Sequence, residues 1–388
     1  YHYFSGGDEE VEGLAATLMP DEPIVWRAAP VGILYKGSCH GFSTPADLLT
    51  FSPLTAVDRG RMAAHMLHCL AIRKPDFLRS IPATTWLRRW LGERGYRAIW
   101  EPLLVHKFGR HVDKVSSAWL WARIRRMANN PKGALWRRTY GFLPGGSHRL
   151  IERLAEGVVE RNVALLQRRS VTRLETAGRN VTSVHYGEDG RAACDAVVST
   201  LPLPQLASML DHGETGSTDN WPPATDYLPV TVLVLLLSRP LTPYFWLNTN
   251  DPGFQFPGVI GYSNLDPHVV EKGLHLAYIP FYGDPDTDTH RLPADELLRM
   301  LDGDIRRIDP GFTAGQVVGA WVFRDRFGQS VCHVDEESPT SPGRSPLDNL
   351  FVTDSSLLHP EDRTINGALS QGRRAAQQVI RSLRGEAI

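Results

Sequence analysis

Apolar positions recur at helical spacing through residues 8–18, behind acidic residues suited to a first turn. Residues 26–35 and the following SCHGFSTP predict short strands and a turn. Ser43 or Thr44 is placed to cap a helix that starts at Pro45. From Ala56 to Met127 the spacing is mostly helical, and NNPKG at 129–133 ends that block. TYGFLPGGSHRLIERLAEGVVERN then predicts a strand, a Pro-Gly-Gly turn and a helix carrying Leu150, Ile151, Leu154, Val158 and Val159. Alternation from Val163 onward predicts short strands, with AGRN and GEDGR where hairpin turns belong, and DAVVSTLP as a strand ending at a turn. The polar, proline-rich 213–226 predicts a linker. VTVLVLLL at 230–237 predicts a buried strand, and a strand-rich block runs to about 327 with one helix over 293–308. SPTSPGRSPLDN breaks the pattern before a closing strand, LFVTD, and a final helix.

The 388 residues suffice for two domains, or for one domain with a large insertion. A net charge of −1 provides no global field for nucleic acid or an anionic membrane. The longest apolar run is far too short to span a bilayer, so no integral membrane segment is expected, and no amphipathic anchor stands out. Cys39, Cys69, Cys194 and Cys332 are scattered without metal-ligand spacing and suit free thiols in a reducing, cytoplasmic setting. His65 and His68 share a helix face, but no third ligand accompanies them, and no metal site is expected. Asn180-Val181-Thr182 fits the glycosylation triplet by chance. Ten tryptophans suit a large core or a pocket for a flat apolar ligand.

The most informative stretch is FVTDSSLLHPEDRTINGALSQGRRAA at 351–376. A strand ends in Asp354, a polar loop follows, and a helix opens at Thr364 with small residues in its first turns. A helix N-terminus carries unpaired N–H groups and partial positive charge, so it suits an anionic, oxygen-rich ligand. Gly367, Ala368 and Gly372 permit close backbone approach.

Taken with LPGGSHRLIERLAEGV, VTRLETAGRNVTSVHYGEDGRAACDAVVSTLP and EPLLVHKFGRHVDKVSSAWLW, this stretch resembles the FAD-dependent amine oxidase and protoporphyrinogen oxidase superfamily. Phytoene desaturases and, more distantly, UDP-galactopyranose mutase belong to the same group. The resemblance implies FAD as cofactor. It implies that Val171 contacts the adenine through its backbone, that Asp354 bonds the ribityl or pyrophosphate region, and that N–H groups near Ile365 and Asn366 meet the flavin O2 edge, at the helix start marked by Thr364 and Gly367. Departures are Thr353 in place of the usual Gly, Asn366 where many relatives have Glu, and Gln371 within the usual Ser-Gly pair.

The fold implied is α/β: a Rossmann-like FAD/NAD(P)-binding domain with an inserted α+β substrate domain. Residues 1–41 are expected to be a remnant of the FAD domain and its connection, 42–138 the helical part of the substrate domain, 139–212 the middle of the FAD domain, 213–335 the sheet part of the substrate domain, and 336–388 the C-terminal part of the FAD domain. No GxGxxG follows a strand anywhere, and the chain opens on Tyr1 in mid-structure. The expectation is therefore that the N-terminal βαβ unit is missing and that this chain alone holds FAD poorly or not at all.

The implied activity is oxidation of a small molecule, with hydride passing from a C–N or C–C bond to flavin N5. Lys107 and Phe108, between two helices, and Phe327, near a position that faces the flavin in relatives, are candidate substrate contacts. Two other classes stay open: a non-redox mutase, which needs clustered Arg and Tyr, and a flavin-free binding module. Arg123, Arg125 and Arg126 form the one tight basic cluster in the helical block, and three such neighbours on a helix cannot share one pocket. Peripheral contact with a membrane, known for some relatives, stays open as well.

Overall fold

The apolar run Tyr227–Leu237 is an inner strand of a seven-stranded sheet. Leu233, Leu235 and Leu237 point to one face and are buried there, while Val230 and Val234 are buried on the other. That two-sided burial explains why the run is nearly continuous in apolar residues rather than alternating. Pro229 interrupts it without cost to the ladder. The neighbouring strand Val317–Ser330 shifts register between Asp325 and Gln329, which leaves Pro229 opposite a bulge.

The computed structural model describes residues 2–128, 139–210, 221, 225–283, 286–336 and 345–386. NNPKG, most of the 213–226 linker and the first part of SPTSPGRSPLDN lie outside the described residues. Two compact units make up the chain, Tyr1–Leu154 with Tyr227–Asp335, and Ala155–Asp226 with Glu336–Ile388.

In the first unit the strand order is Val317–Ser330, Tyr227–Leu237, His275–Tyr282, Gly258–Gly261, Trp246–Thr249, Val31–Tyr35, Ser38–Gly41. Every pairing is antiparallel except that of Trp246–Thr249 with Val31–Tyr35. Residues 31–41, expected with the FAD domain, thus sit in the sheet formed by the 227–335 block. The strand Thr139–Phe142 pairs with Val25–Ala28 in the same unit. The helix Ala294–Ile308 covers one sheet face through Leu297, Leu301 and Ile305. The helical block builds a separate core around Trp86, Leu87, Tyr96, Phe108 and Trp119. Its first helices begin at capping boxes, Thr44 with Asp47 and Thr55 with Asp58, which satisfy first-turn donors that would otherwise lack partners.

In the second unit, Val171–Ala177, Asn180–Tyr186 and Gly190–Ala193 form an antiparallel meander. Leu350–Val352 pairs in parallel with Val197–Ser199. The helix Ile365–Leu383 packs on that pair. A core of Leu174, Val181, Leu203, Leu206, Leu350 and Val352 joins these elements. Residues 163–170, which alternate like a strand, form none: they are exposed and pair with no described strand. Alternation alone makes no strand without a ladder to join.

Candidate active site

In the second unit the end of the strand Leu350–Val352 and the last helix meet at Asp354. Thr353 is held by its N–H donating to the Ser199 carbonyl at 2.8 Å. The next residue, Asp354, is buried, and its Oδ1 accepts from the Ser356 N–H at 2.7 Å and the Ser356 hydroxyl at 2.6 Å. Asp354 therefore caps the short turn Ser355–Leu358. Its carbonyl accepts from Gln371 Nε2 at 3.0 Å, which ties the strand end to the helix Ile365–Leu383. Gln371 is buried, so its amide is part of this join. Sequence reading noted Gln371 only as a departure; the signal it lacked was the partner.

Thr364 caps that helix, its Oγ1 accepting from the Gly367 N–H at 2.9 Å. Ile365 and Asn366 form its first turn, half-buried. Gly367 is constrained from inside the unit, because a Cβ there would meet Leu358 Cδ1 at 2.8 Å. Gly372 has open space instead. Arg373 and Arg374 are on the exposed face. Val171, at the start of the meander, packs on the core that contains Leu350 and Val352. A cavity of about 60 Å³ borders Val352, Leu357, Gln371 and Ala375. It is far below the roughly 300 Å³ of the smallest ordinary ligand pockets, so it is no housing for a flavin ring.

In the first unit Lys107 is 5% exposed. Its Nζ lies 4.8 Å from the Trp119 ring centroid, 5.4 Å from Phe108 and 5.9 Å from Tyr282. Three ring faces around one ammonium are a cation–π cage, which recovers part of the hydration lost on burial. Next to it, burial pushes the His106 imidazole below its usual range. Tyr282 pairs with Val230, and Val230 with Asp325, so the register places Lys107 and the bulge carrying Phe327 at one end of the sheet. Phe327 packs edge-on against Tyr227 at 5.5 Å. Neither Trp119 nor Tyr282 was singled out from sequence, since each lies on a different element from Lys107.

The Pro-Gly-Gly turn has its own anchor in this unit. Gly145 and Gly146 have φ of 86° and 117°, a region that favours glycine. The Gly145 N–H donates to Asp266 Oδ2 at 3.1 Å. Asp266 is fully buried, and its other oxygen accepts from the His268 N–H at 2.9 Å.

A family model for flavin-containing amine oxidoreductases matches residues 74–380. The chain belongs to that family. Among solved structures, an oxidoreductase from Methanosarcina mazei is similar at TM-score 0.71 and 16% identity, covering 94% of this chain and 85% of that one. A candidate protoporphyrinogen oxidase from Exiguobacterium sp. is similar at TM-score 0.67 and 16% identity, covering 98% and 87%. A reduced UDP-galactopyranose mutase is similar at TM-score 0.66 and 14% identity, covering 99% and 84%. A search of curated protein sequences finds no significant match.

As a member of the flavin-containing amine oxidoreductase family, the chain is an oxidoreductase that uses a flavin. The second unit's residues fit that group. A capped helix N-terminus with a glycine in its first turn offers N–H donors to an anionic ligand, and Asp354, tied to that helix through its carbonyl, adds a carboxylate that accepts from the Ser356 N–H and hydroxyl.

Proposed function

We propose that the protein is an FAD-dependent oxidoreductase acting on a small organic molecule. Bound FAD supplies the oxidant for removing a hydride from a C–N or C–C bond. The observation that carries the reading is the join of Asp354 to the helix Ile365–Leu383 through Gln371, with Thr364 capping that helix. Asp354 presents a carboxylate to the ribityl or pyrophosphate region. The first-turn amides at Ile365 and Asn366 stabilise negative charge at the ring's O2 edge, and Val171 supports the adenine end. Lys107 and Phe108, with Trp119 and Tyr282, form the substrate-orienting group, and Phe327 is placed at the same end of the sheet.

The non-redox reading asks for arginines gathered on a pyrophosphate, and these are dispersed. Arg123 lies over Trp119 at 5.8 Å, Arg125 over Trp121 at 5.2 Å, and Arg126 pairs with Asp8 at 2.9 Å. The test is a titration of FAD, with FMN as control, into protein made from its full natural reading frame. Asp354→Asn keeps an oxygen for the Ser356 N–H but loses the charge. FAD is expected to bind tighter than FMN, and Asp354→Asn to weaken it about tenfold, the order of one charged hydrogen bond. Equal FAD affinity in the variant overturns the assignment of Asp354. No flavin binding at all overturns the function.

A further inference from the structure

In the first unit, the short turn Gly109–Lys114 and the residues just past the strand Val317–Ser330 are joined by backbone bonds. His333 pairs with Val115 as an antiparallel bridge. On either side of it the Ser116 N–H donates to the Cys332 carbonyl at 2.9 Å, and the Val334 N–H to the Lys114 carbonyl at 2.8 Å. Val115, Val331 and Cys332 are buried in the core of the helical block, which anchors the join. His111 stands four residues before Val115, and its ring comes over that of His333. The centroids are 5.4 Å apart and the rings are tilted by 55°. One nitrogen of each ring lies within 4.8 Å of one of the other's. Both side chains are half-buried. The two histidines are more than two hundred positions apart along the chain, so ligand spacing in the sequence gave no sign of the pair.

Two imidazoles held this way suit one class of ligand. Nitrogen donors favour Zn²⁺, Ni²⁺ or Cu²⁺ over Mg²⁺ and Ca²⁺, which take oxygen. At metal–nitrogen distances of about 2.0–2.1 Å, two nitrogens on one ion stand about 3.4 Å apart at tetrahedral corners and about 4.1 Å apart across a square. Closing the pair to that span needs a rotation of the two rings, with the backbone left in place. The arrangement also contains a competitor. Arg110 is exposed, and its Nε donates to His111 Nε2 at 3.1 Å. An ion that ligates through Nε2 displaces that guanidinium, and one that ligates through Nδ1 keeps its positive charge a ring's width away. Either way Arg110 weakens the site. Two protein ligands leave the other positions to water, so the ion exchanges instead of being locked in as at a four-ligand structural site.

We propose that His111 and His333 form an exchangeable site for a divalent transition cation of the Zn²⁺ class. The binding itself is independent of the cofactor reading. Its position matters to that reading, because the turn follows directly on Lys107 and Phe108 and His333 follows the strand that carries Phe327, so the ion ties together the two segments that bear the substrate contacts. The test is a calorimetric titration of Zn²⁺, with Mg²⁺ as control, into flavin-free protein made from its full natural reading frame. One equivalent of Zn²⁺ is expected to bind with a Kd of roughly 10–100 µM, since the site has half the ligands of a structural one. His111→Gln and His333→Gln should each weaken it at least about tenfold. Arg110→Ala, which removes an exposed competitor and leaves the fold alone, should tighten it about threefold. That variant decides the matter even where a glutamine variant misfolds: unchanged Zn²⁺ affinity in Arg110→Ala overturns the site. So does wild-type protein that takes up no Zn²⁺ at about 1 mM, ten times the weakest affinity expected. Zn²⁺ binding that survives in both folded glutamine variants also overturns it and marks an adventitious ion only.

Discussion

His65 is an imidazole that the fold keeps neutral. It is 2% exposed, stands edge-on to Trp86 at 4.5 Å and meets Cys69 Sγ at 3.6 Å. Burial, helped by the nearby His68, pulls its pKa down to about 4. The unfolded chain takes up that proton near the ordinary value of about 6.5, before the folded one does. Stability from this site is therefore full above about pH 6.5 and is lost as pH falls toward 4, by at most about 3 kcal/mol. Urea melts across that range should show the slope in wild type and a flatter profile in His65→Leu. The sequence supplied a His pair on a helix and no ligand for it. What it lacked was the partners, because Trp86 and Trp90 reach the pair from another helix. His68 stacks on Trp90 at 4.5 Å. The same holds for Lys107: the sequence shows a basic residue at a helix break, but the rings that enclose it come from Ser117–Ala128 and His275–Tyr282.

At the scale of elements, the last helix carries two glycines that the sequence treats alike and the structure does not. Gly367→Ala should cost about 1 kcal/mol, because crowding against Leu358 outweighs the gain in helix propensity. Gly372→Ala meets nothing and should gain about 0.5–1 kcal/mol. Chemical denaturation of the two variants checks the opposite signs. Thr364→Ala should cost about 1 kcal/mol through the lost cap. The caps at Thr44 and Thr364 were legible because capping is local chemistry, written within four residues. The inward side of Ala56–Ala71 was not: its apolar residues are spread around the whole helix, so their spacing leaves open that Met62, His65 and Cys69 meet the core.

At the scale of the whole molecule, interleaving was legible and its bounds less so. Alternating segment types predict five stretches of chain, whereas the two compact units are built from four. The strands Val31–Tyr35 and Ser38–Gly41 gave no hint that they join a sheet with residues more than two hundred positions later. Ligand binding should be visible at this scale too. Free FAD at a hundredfold excess over its Kd should raise the unfolding free energy by about 2.7 kcal/mol, read as a shift in Tm. An unchanged Tm with demonstrated binding would mean that the ligand engages the unfolded chain equally.

The parallel pair Val197–Ser199 with Leu350–Val352 has a consequence for how the protein is made. The first strand leaves the ribosome long before the second exists, and at about 5–20 residues per second the wait lasts several seconds to half a minute. Over that interval Leu174, Val181, Leu203 and Leu206 lack Leu347, Leu350 and Val352, the residues that complete their core. A nascent chain stalled before position 345 should thus be cut readily by protease within 155–210, and one stalled beyond 383, with room to clear the exit tunnel, should resist. The newborn polypeptide thus passes through a protease-sensitive window that closes only after Leu350–Val352 has left the ribosome.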